Sequence, residues 1–205
     1  PGLAGSEVRG HIPEVPEHDE PVWLILYPDN EAGLKAQLAT LLDRSGHVVL
    51  DSVPDSVPID ETTGPVCIDD RANIGECVRI EGPCYIGPEA EVRHGAYVRP
   101  NSWLCEGSVL GHASEIKHSL LLPGAKAPHF NYVGDSILGR EVNLGAGCKL
   151  SNLRNDERAV LVRGLVGGDM YSGLRKFGAI LGDGCPLYTS PSPRDLSTPR
   201  MPSHA

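Results

Sequence analysis

Ile68-Asp-Asp-Arg-Ala72-Asn-Ile74-Gly-Glu-Cys-Val78-Arg-Ile80-Glu-Gly-Pro-Cys84-Tyr-Ile86-Gly-Pro-Glu-Ala90-Glu-Val92 places an aliphatic residue at every sixth position. The column runs on through Val98, Leu104, Leu110, Ile116 and Leu122. A helix repeats every 3.6 residues and a strand every 2, so neither explains that period. The position four after each aliphatic is restricted as well, to Ala72, Val78, Cys84, Ala90, Ala96, Ser102, Ser108 and Ser114. One large and one small inward residue per six suits the edges and corners of a narrow triangular prism, the hexapeptide-repeat parallel β-helix. The fold class expected is mainly β: a left-handed parallel β-helix with a small α/β N-terminal cap.

Three hexapeptides make one coil, so residues eighteen apart stack on neighbouring coils at about 4.8 Å. The aliphatic column resumes at Leu138, Leu144 and Leu150. The gap from Leu122 to Leu138 is not a multiple of six, which predicts a loop leaving the prism. That loop would carry Ala125-Lys-Ala-Pro-His129-Phe-Asn-Tyr132, and loops on rigid scaffolds are where chemistry concentrates.

Composition fits such a core. Aromatics are only 5 % of the 205 residues. No apolar run is long enough to span a membrane and no signal peptide opens the chain, so a cytoplasmic protein is expected. Six cysteines form no C-x-x-C pair, and Cys84 and Cys148 fall in the small inward column, which reads as reduced and structural. The net charge of −9 is uneven: twelve acidic and three basic residues lie in 1–62, leaving fifteen of each sign in the remainder. No broad basic face is available for nucleic acid.

The domains expected are an acidic segment 1–63, either a cap over the first coil or the remnant of a preceding domain, a β-helix over 64–184, and a tail over 185–205. In the first, Val22–Tyr27 reads as a strand. A helix follows with the apolar stripe Leu34, Leu38, Leu41 and Leu42, opened by Asp29 or Asn30 and stopped at Gly46. His47–Leu50 reads as a second strand. Gly164–Met170 looks like a hairpin in an excursion between Leu150 and Leu181, where the repeat restarts. Leu187-Tyr-Thr-Ser-Pro-Ser-Pro-Arg-Asp195 reads like a translated sequencing adapter, so the tail is expected to be an artefact or disordered. The chain opens at Pro1 without an initiator Met, and a longer parent is expected.

Arg99 and Lys117 each follow an inward aliphatic and lie eighteen apart, so both point outward from one face on adjacent coils. Two such cations suit a phosphate, Arg as a fork and Lys as a point charge; two solvated surface cations are the plain alternative. His129 and Tyr132 belong to the loop expected beside them, and His is the side chain best suited to proton transfer near neutral pH.

At these residues the chain resembles a known family. Gly111-His-Ala-Ser-Glu-Ile-Lys117, Ala125-Lys-Ala-Pro-His-Phe-Asn-Tyr-Val-Gly-Asp135 and Val142-Asn-Leu-Gly-Ala-Gly147 are similar to the acetyltransferase half of bifunctional N-acetylglucosamine-1-phosphate uridyltransferase/glucosamine-1-phosphate acetyltransferases. The likeness runs from about Ile68 to Gly184. It implies a homotrimer that acetylates the amine of glucosamine 1-phosphate from acetyl-CoA, on the route to UDP-N-acetylglucosamine. His129 would be the general base and Glu115 would orient it. Arg99 and Lys117 would hold the phosphate, and Tyr132, Asn143 and Asn152 the sugar. The acetyl-CoA contacts are not assigned to residues, since the resemblance places them largely in coils after Gly184 and in a neighbouring subunit; the fragment alone is expected to be inactive.

Two departures stand out. Leu153 follows Asn152 where the family has Tyr, and the loop reads Ala-Pro-His-Phe-Asn-Tyr rather than Ala-Gly-His-Leu-Thr-Tyr. The Ala-Pro-His-Phe-Asn-Tyr variant resembles nucleotidyltransferase-like β-helix proteins, so a non-catalytic, trimerising module that binds a sugar nucleotide is the alternative. Residues 1–67 lack the Gly-rich nucleotidyltransferase signature. A zinc enzyme of the γ-carbonic anhydrase type, using His94, His112 and His118, is the third reading; these residues point from different faces, so no metal is expected. Trp103 reads as a surface or subunit-contact aromatic. Lys176, in the Gly-Leu-Arg-Lys-Phe-Gly element, could touch an anionic cofactor, though nothing in the sequence compels it.

Overall fold

The computed structural model describes residues 10–16, 20–45, 53–163 and 168–188. It is a left-handed parallel β-helix of about five turns. The first face stacks Ile59–Asp60, Arg79–Glu81, Tyr97–Val98, Glu115–Lys117, Tyr132–Gly134 and Lys149–Leu150. The second stacks Val66–Ile68, Cys84–Ile86, Ser102–Leu104, Ser119–Leu121, Ile137–Leu138 and Ile180–Leu181. The third stacks Asn73–Ile74, Glu91–Val92, Val109–His112, Lys126–His129, Asn143–Leu144 and Pro186–Leu187.

The sixfold column fills the prism. Ile80, Ile86, Val92, Val98, Leu104, Leu110 and Ile116 are fully buried in one continuous core, each worth about 1.5–3 kcal/mol of transfer from water. Val78, Cys84, Ala90 and Ala96 occupy the small positions beside them. Cys84 and Cys148 lie in the core as their spacing predicts; in the outer cluster, burial pushes the Cys67 thiol up to about 11 and Cys105 to about 12, so these too are packing groups. All six thiols are free.

No loop leaves the prism between Leu122 and Leu138. The inward column instead runs Ile116, Leu121, Ala127, Val133, Leu138, in steps of five, six, six and five. Leu121 pairs with both Leu104 and Leu138, while Leu122 packs half-buried in an outer cluster. Each shortened step removes one residue from the corner between the first and second faces. The stretch expected as a loop is therefore strand, corner, strand: Lys126–His129 on the third face and Tyr132–Gly134 on the first.

The N-terminal segment lies along the outer side of the second face rather than over the end of the first coil. Trp23, Ile25, Leu26, Leu34, Leu38, Leu41 and Leu42 pack on Cys67, Tyr85, Trp103, Leu120 and Ile137. Val22–Leu26 is a 3-10 helix and not the expected strand, because each face pairs its own strands coil by coil and offers this run no ladder. The helix Leu34–Ser45 buries the expected stripe, and Asn30 Oδ1 accepts from Ala32 N at 3.0 Å ahead of it. Trp103 is buried under this segment, not exposed; its Nε1 donates to His11 O at 3.2 Å. The strand expected at His47–Leu50 lies outside the described residues.

Between Leu150 and Ile180 the chain makes its one large excursion among the described residues. Leu161–Val162 and Met170–Tyr171 pair antiparallel; of the hairpin expected at Gly164–Met170, residues 164–167 lie outside the described residues. Ile180–Leu181 then rejoins the second face on Ile137–Leu138. Pro186–Leu187 pairs with Asn143–Leu144, so strand pairing continues past residue 185; the adapter-like stretch from residue 189 lies outside the described residues. No helix among them is long and apolar enough to cross a membrane.

Candidate functional site: a polar face and a basic groove

Because inward and outward side chains alternate along a strand, the first face presents Tyr97, Glu115 and Tyr132 in one outer row. Val98 pairs with Ile116, which sets Arg99 and Lys117 side by side in the next row, as the eighteen-residue spacing predicts. Arg99 Nη1 donates to Glu115 Oε1 at 2.7 Å, with both side chains 34 % exposed, and its guanidinium carbon lies 5.7 Å from the Tyr97 ring centroid. An ion pair this exposed contributes under about 1 kcal/mol, so it orients the guanidinium more than it stabilises the fold.

The two shortened corners give this face its other half. With seventeen residues per coil there, His118, Asp135 and Asn152 fall one above another. His118 Nδ1 and Asp135 Oδ1 are 2.8 Å apart, and Asn152 Nδ2 donates to Asp135 Oδ2 and, at 3.3 Å, to the Tyr132 hydroxyl. Asp135 is nearly buried, which alone would raise its carboxyl pKa; hydrogen bonds from His118 and Asn152 and the charges of His118 and Lys117 outweigh burial and hold it below 3.8. An ionised carboxylate only accepts, so the His118 Nδ1 carries the hydrogen. Tyr132 and Asn152, expected in the site, are thus tied to a buried carboxylate.

Lys117 opens on a groove of about 650 Å³ beside this ladder, lined among others by Lys35, Asn101, His118, Asp135, Arg175 and Lys176. The returning segment brings Lys176 there through its bridge to Leu153. Burial lowers the Lys117 pKa, and Lys176 and Arg99 push the same way against the pull of Asp135. A site that strains its own cation is ready for an anion.

His129 and Asn143 lie around the corner on the third face. His129 is exposed at the end of its strand and in register with His112. Buried Asn131 pins that corner: its Oδ1 accepts from His129 N at 2.9 Å and its Nδ2 donates to Gly145 O at 2.8 Å. Asn143 is half-buried and pairs with Lys126 on one side and Pro186 on the other. The structure therefore gathers Arg99, Glu115, Lys117, Tyr132 and Asn152 on the first face and its corner, and sets His129 and Asn143 apart. Glu115 engages Arg99, not the His129 imidazole.

His94 and His112 stack at 5.5 Å with rings 14° from parallel, while His118 turns to Asp135. Among the described residues no group of three or more His, Cys, Asp or Glu is placed to hold a metal ion. Sequence reasoning missed Asp135, Asn131 and His118's place in the ladder, and offered Lys176 only as an uncompelled contact to an anionic cofactor. The one signal for the ladder, the spacing of seventeen among His118, Asp135 and Asn152, is hidden while a period of eighteen is assumed.

A hexapeptide β-helix with a basic, hydrogen-bonded face defines a class. Within that class, residues 80–187, over half of the chain, match the model of the GMPPB C-terminal domain, and the chain belongs to that family. It is also similar to a bifunctional sugar-1-phosphate nucleotidylyltransferase/acetyltransferase of Sulfurisphaera tokodaii, 42 % identical over 128 residues, covering 54 % of this chain and 32 % of that protein. The bifunctional protein GlmU of Methanococcus vannielii is 41 % identical over 99 residues, 48 % of this chain and 22 % of the relative. The chain thus spans a third or less of the length of these relatives. The acetyltransferase domain of PglB from Neisseria gonorrhoeae, solved with acetyl coenzyme A, overlays with a TM-score of 0.35 at 13 % identity, covering 90 % of this chain and 78 % of that one; so loose an overlay bears on no residue.

Proposed function

We propose that this β-helix transfers the acetyl group of acetyl-CoA to the amine of an amino-sugar 1-phosphate, with glucosamine 1-phosphate as the acceptor, in UDP-N-acetylglucosamine biosynthesis. What carries the reading is the juxtaposition of a strained cation, Lys117, with the sugar-facing pair Tyr132 and Asn152 on one corner. Arg99 and Lys117 take the phosphate, and Tyr132 and Asn152 hold sugar hydroxyls. His129 accepts the amine proton as nitrogen attacks the thioester carbonyl, and the CoA thiolate leaves. Asn143 lies on the same face as His129, where it contacts the sugar. Glu115 holds Arg99 and, in a homotrimeric assembly with its partners in place, turns to the imidazole. The names of relatives that pair nucleotidyl and acetyl transfer support the reading at the level of class.

The alternative is a non-catalytic module that binds a sugar nucleotide and trimerises. It is favoured by the separation of His129 from the first face and by exposed Leu153, 47 % accessible where a substrate-facing Tyr is expected. Acetyl transfer from acetyl-CoA to glucosamine 1-phosphate, measured on the full-length protein and its His129→Ala variant, separates the two. Transfer falling about a hundredfold or more in the variant supports the enzyme; sugar-nucleotide binding without transfer supports the module.

A further inference from the structure

His118 is the group in the groove whose construction exceeds what a corner of the prism requires. Its side chain is only 11 % exposed and its Nδ1 is fixed by Asp135. His118 is among the residues that line the groove, and the one hydrogen bond of its ring among the described residues is made by Nδ1. Lys117 precedes His118 at the end of the first-face strand, Lys35 lies on the N-terminal helix, and Lys176 and Arg175 lie on the returning segment, Arg175 already paired with Glu157 at 2.7 Å. Asp135 is the one acid among the residues lining the groove, and its two oxygens are taken by His118 and Asn152. Asn101, whose Oδ1 is buried without a hydrogen-bond partner, lines the same groove.

An imidazole held in this way has a defined tautomer. With hydrogen on Nδ1, the neutral ring offers only a lone pair at Nε2, which repels an anion. A second proton on the ring converts the same atom into a charge-assisted donor.

We propose that His118 is a ligand for the dianionic group in this groove and takes up one proton as that group binds, its Nε2–H donating to a phosphate or sulfate oxygen beside Lys117 and Lys176. The assignment rests on the reading of the groove as the phosphate end of the acceptor site. Anion affinity is then tied to pH through one imidazole, and dianionic monoesters are favoured over monoanionic carboxylates.

Sulfate is the probe, because it does not itself titrate near neutrality. Calorimetry of sulfate binding to the full chain at pH 7.5, in two buffers of different ionisation enthalpy, counts the protons taken up. The expected result is proton uptake on sulfate binding, with affinity that falls as pH rises. His118→Asn should abolish the uptake; His118→Lys, a fixed cation, should bind sulfate with no uptake and a flat pH profile. Sulfate binding without uptake, or uptake that persists in both variants and so belongs to Lys117, overturns the His118 assignment and leaves acetyl transfer standing. No sulfate binding at all overturns the groove as an anion site. Loss of acetyl transfer alone, with proton-linked binding intact, counts against the proposed function and not against His118.

Discussion

The ring of Tyr132 lies across Gly134, its hydroxyl 2.6 Å from where a Cβ on that glycine would stand; Asn152 Nδ2 is 2.7 Å from the same point. Gly134 stacks on Lys117 in the outer row of the first face, so the missing side chain makes the hollow into which Tyr132, the proposed sugar contact, folds. Gly134→Ala should displace both polar groups. Overpacking of this kind costs about 1–3 kcal/mol, read as a lower thermal midpoint, and KM for glucosamine 1-phosphate should rise more than kcat falls. Unchanged midpoint and unchanged KM would show that Tyr132 does not rest there.

Arg99 has its fork occupied by Glu115 at 2.7 Å, and a carboxylate so placed competes with phosphate. Glu115→Gln should leave stability within about 1 kcal/mol, since the pair is one-third exposed. It should also tighten sulfate binding several-fold at low salt, a gain that fades as ionic strength reaches about 0.5 M. If Glu115 also serves the His129 imidazole, kcat falls in the same variant while KM drops. Weaker sulfate binding in Glu115→Gln would mean that the carboxylate positions Arg99 for the anion instead of screening it.

The prism was legible because Ile68 to Ile116 repeat without interruption, and the same rule located Arg99 beside Lys117. It failed at Leu122, where a leucine one residue past the true inward Leu121 continues the pattern in sequence but not in space. Two adjacent leucines satisfy either register, and the choice between them is made by the corner: Lys117-His118 turns in one residue fewer than Arg99-Pro100-Asn101. The ladder of His118, Asp135 and Asn152 follows from that deletion and was invisible without it. The N-terminal segment was legible as apolar stripes, but which surface they cover depends on Tyr85, Trp103 and Leu120, outward residues that a β-helix pattern treats as free. Lys176 was unreadable for a related reason, since its position depends on an excursion with no repeat to fix it.

Asp135 predicts a particular acid response. Its folded carboxyl pKa lies below the unfolded 3.8, so the unfolded chain binds more protons and stability falls with falling pH. The contribution is fully present above about pH 4 and is lost as pH drops through the folded value. Asp135→Asn leaves a donor of Asn152 or His118 without its acceptor and should cost about 1–3 kcal/mol at neutral pH. The difference in unfolding free energy between the two proteins, followed by denaturant titration from pH 7 to 2.5, should stay level and then shrink below pH 3.8. A difference that grows on acidification would mean that the carboxyl is not ionised in the native corner.

Lys117 carries the opposite sign. Burial first, then Lys176 and Arg99, hold its folded pKa below 10.5, so its charge opposes folding at neutral pH, and stability rises with pH as the folded amine deprotonates ahead of the unfolded one. Removing the charge while keeping an unbranched stem should therefore help the free protein. Lys117→Met is expected to hold or raise the thermal midpoint in chloride buffer. The wild type should gain midpoint with added sulfate at matched ionic strength, as any ligand of the native state produces, and the variant should gain much less. Thermal unfolding of both proteins in chloride and in sulfate tests this directly: a midpoint that drops in chloride would make Lys117 a structural partner of Asp135, whereas a sulfate gain equal to wild type would move the anion away from Lys117.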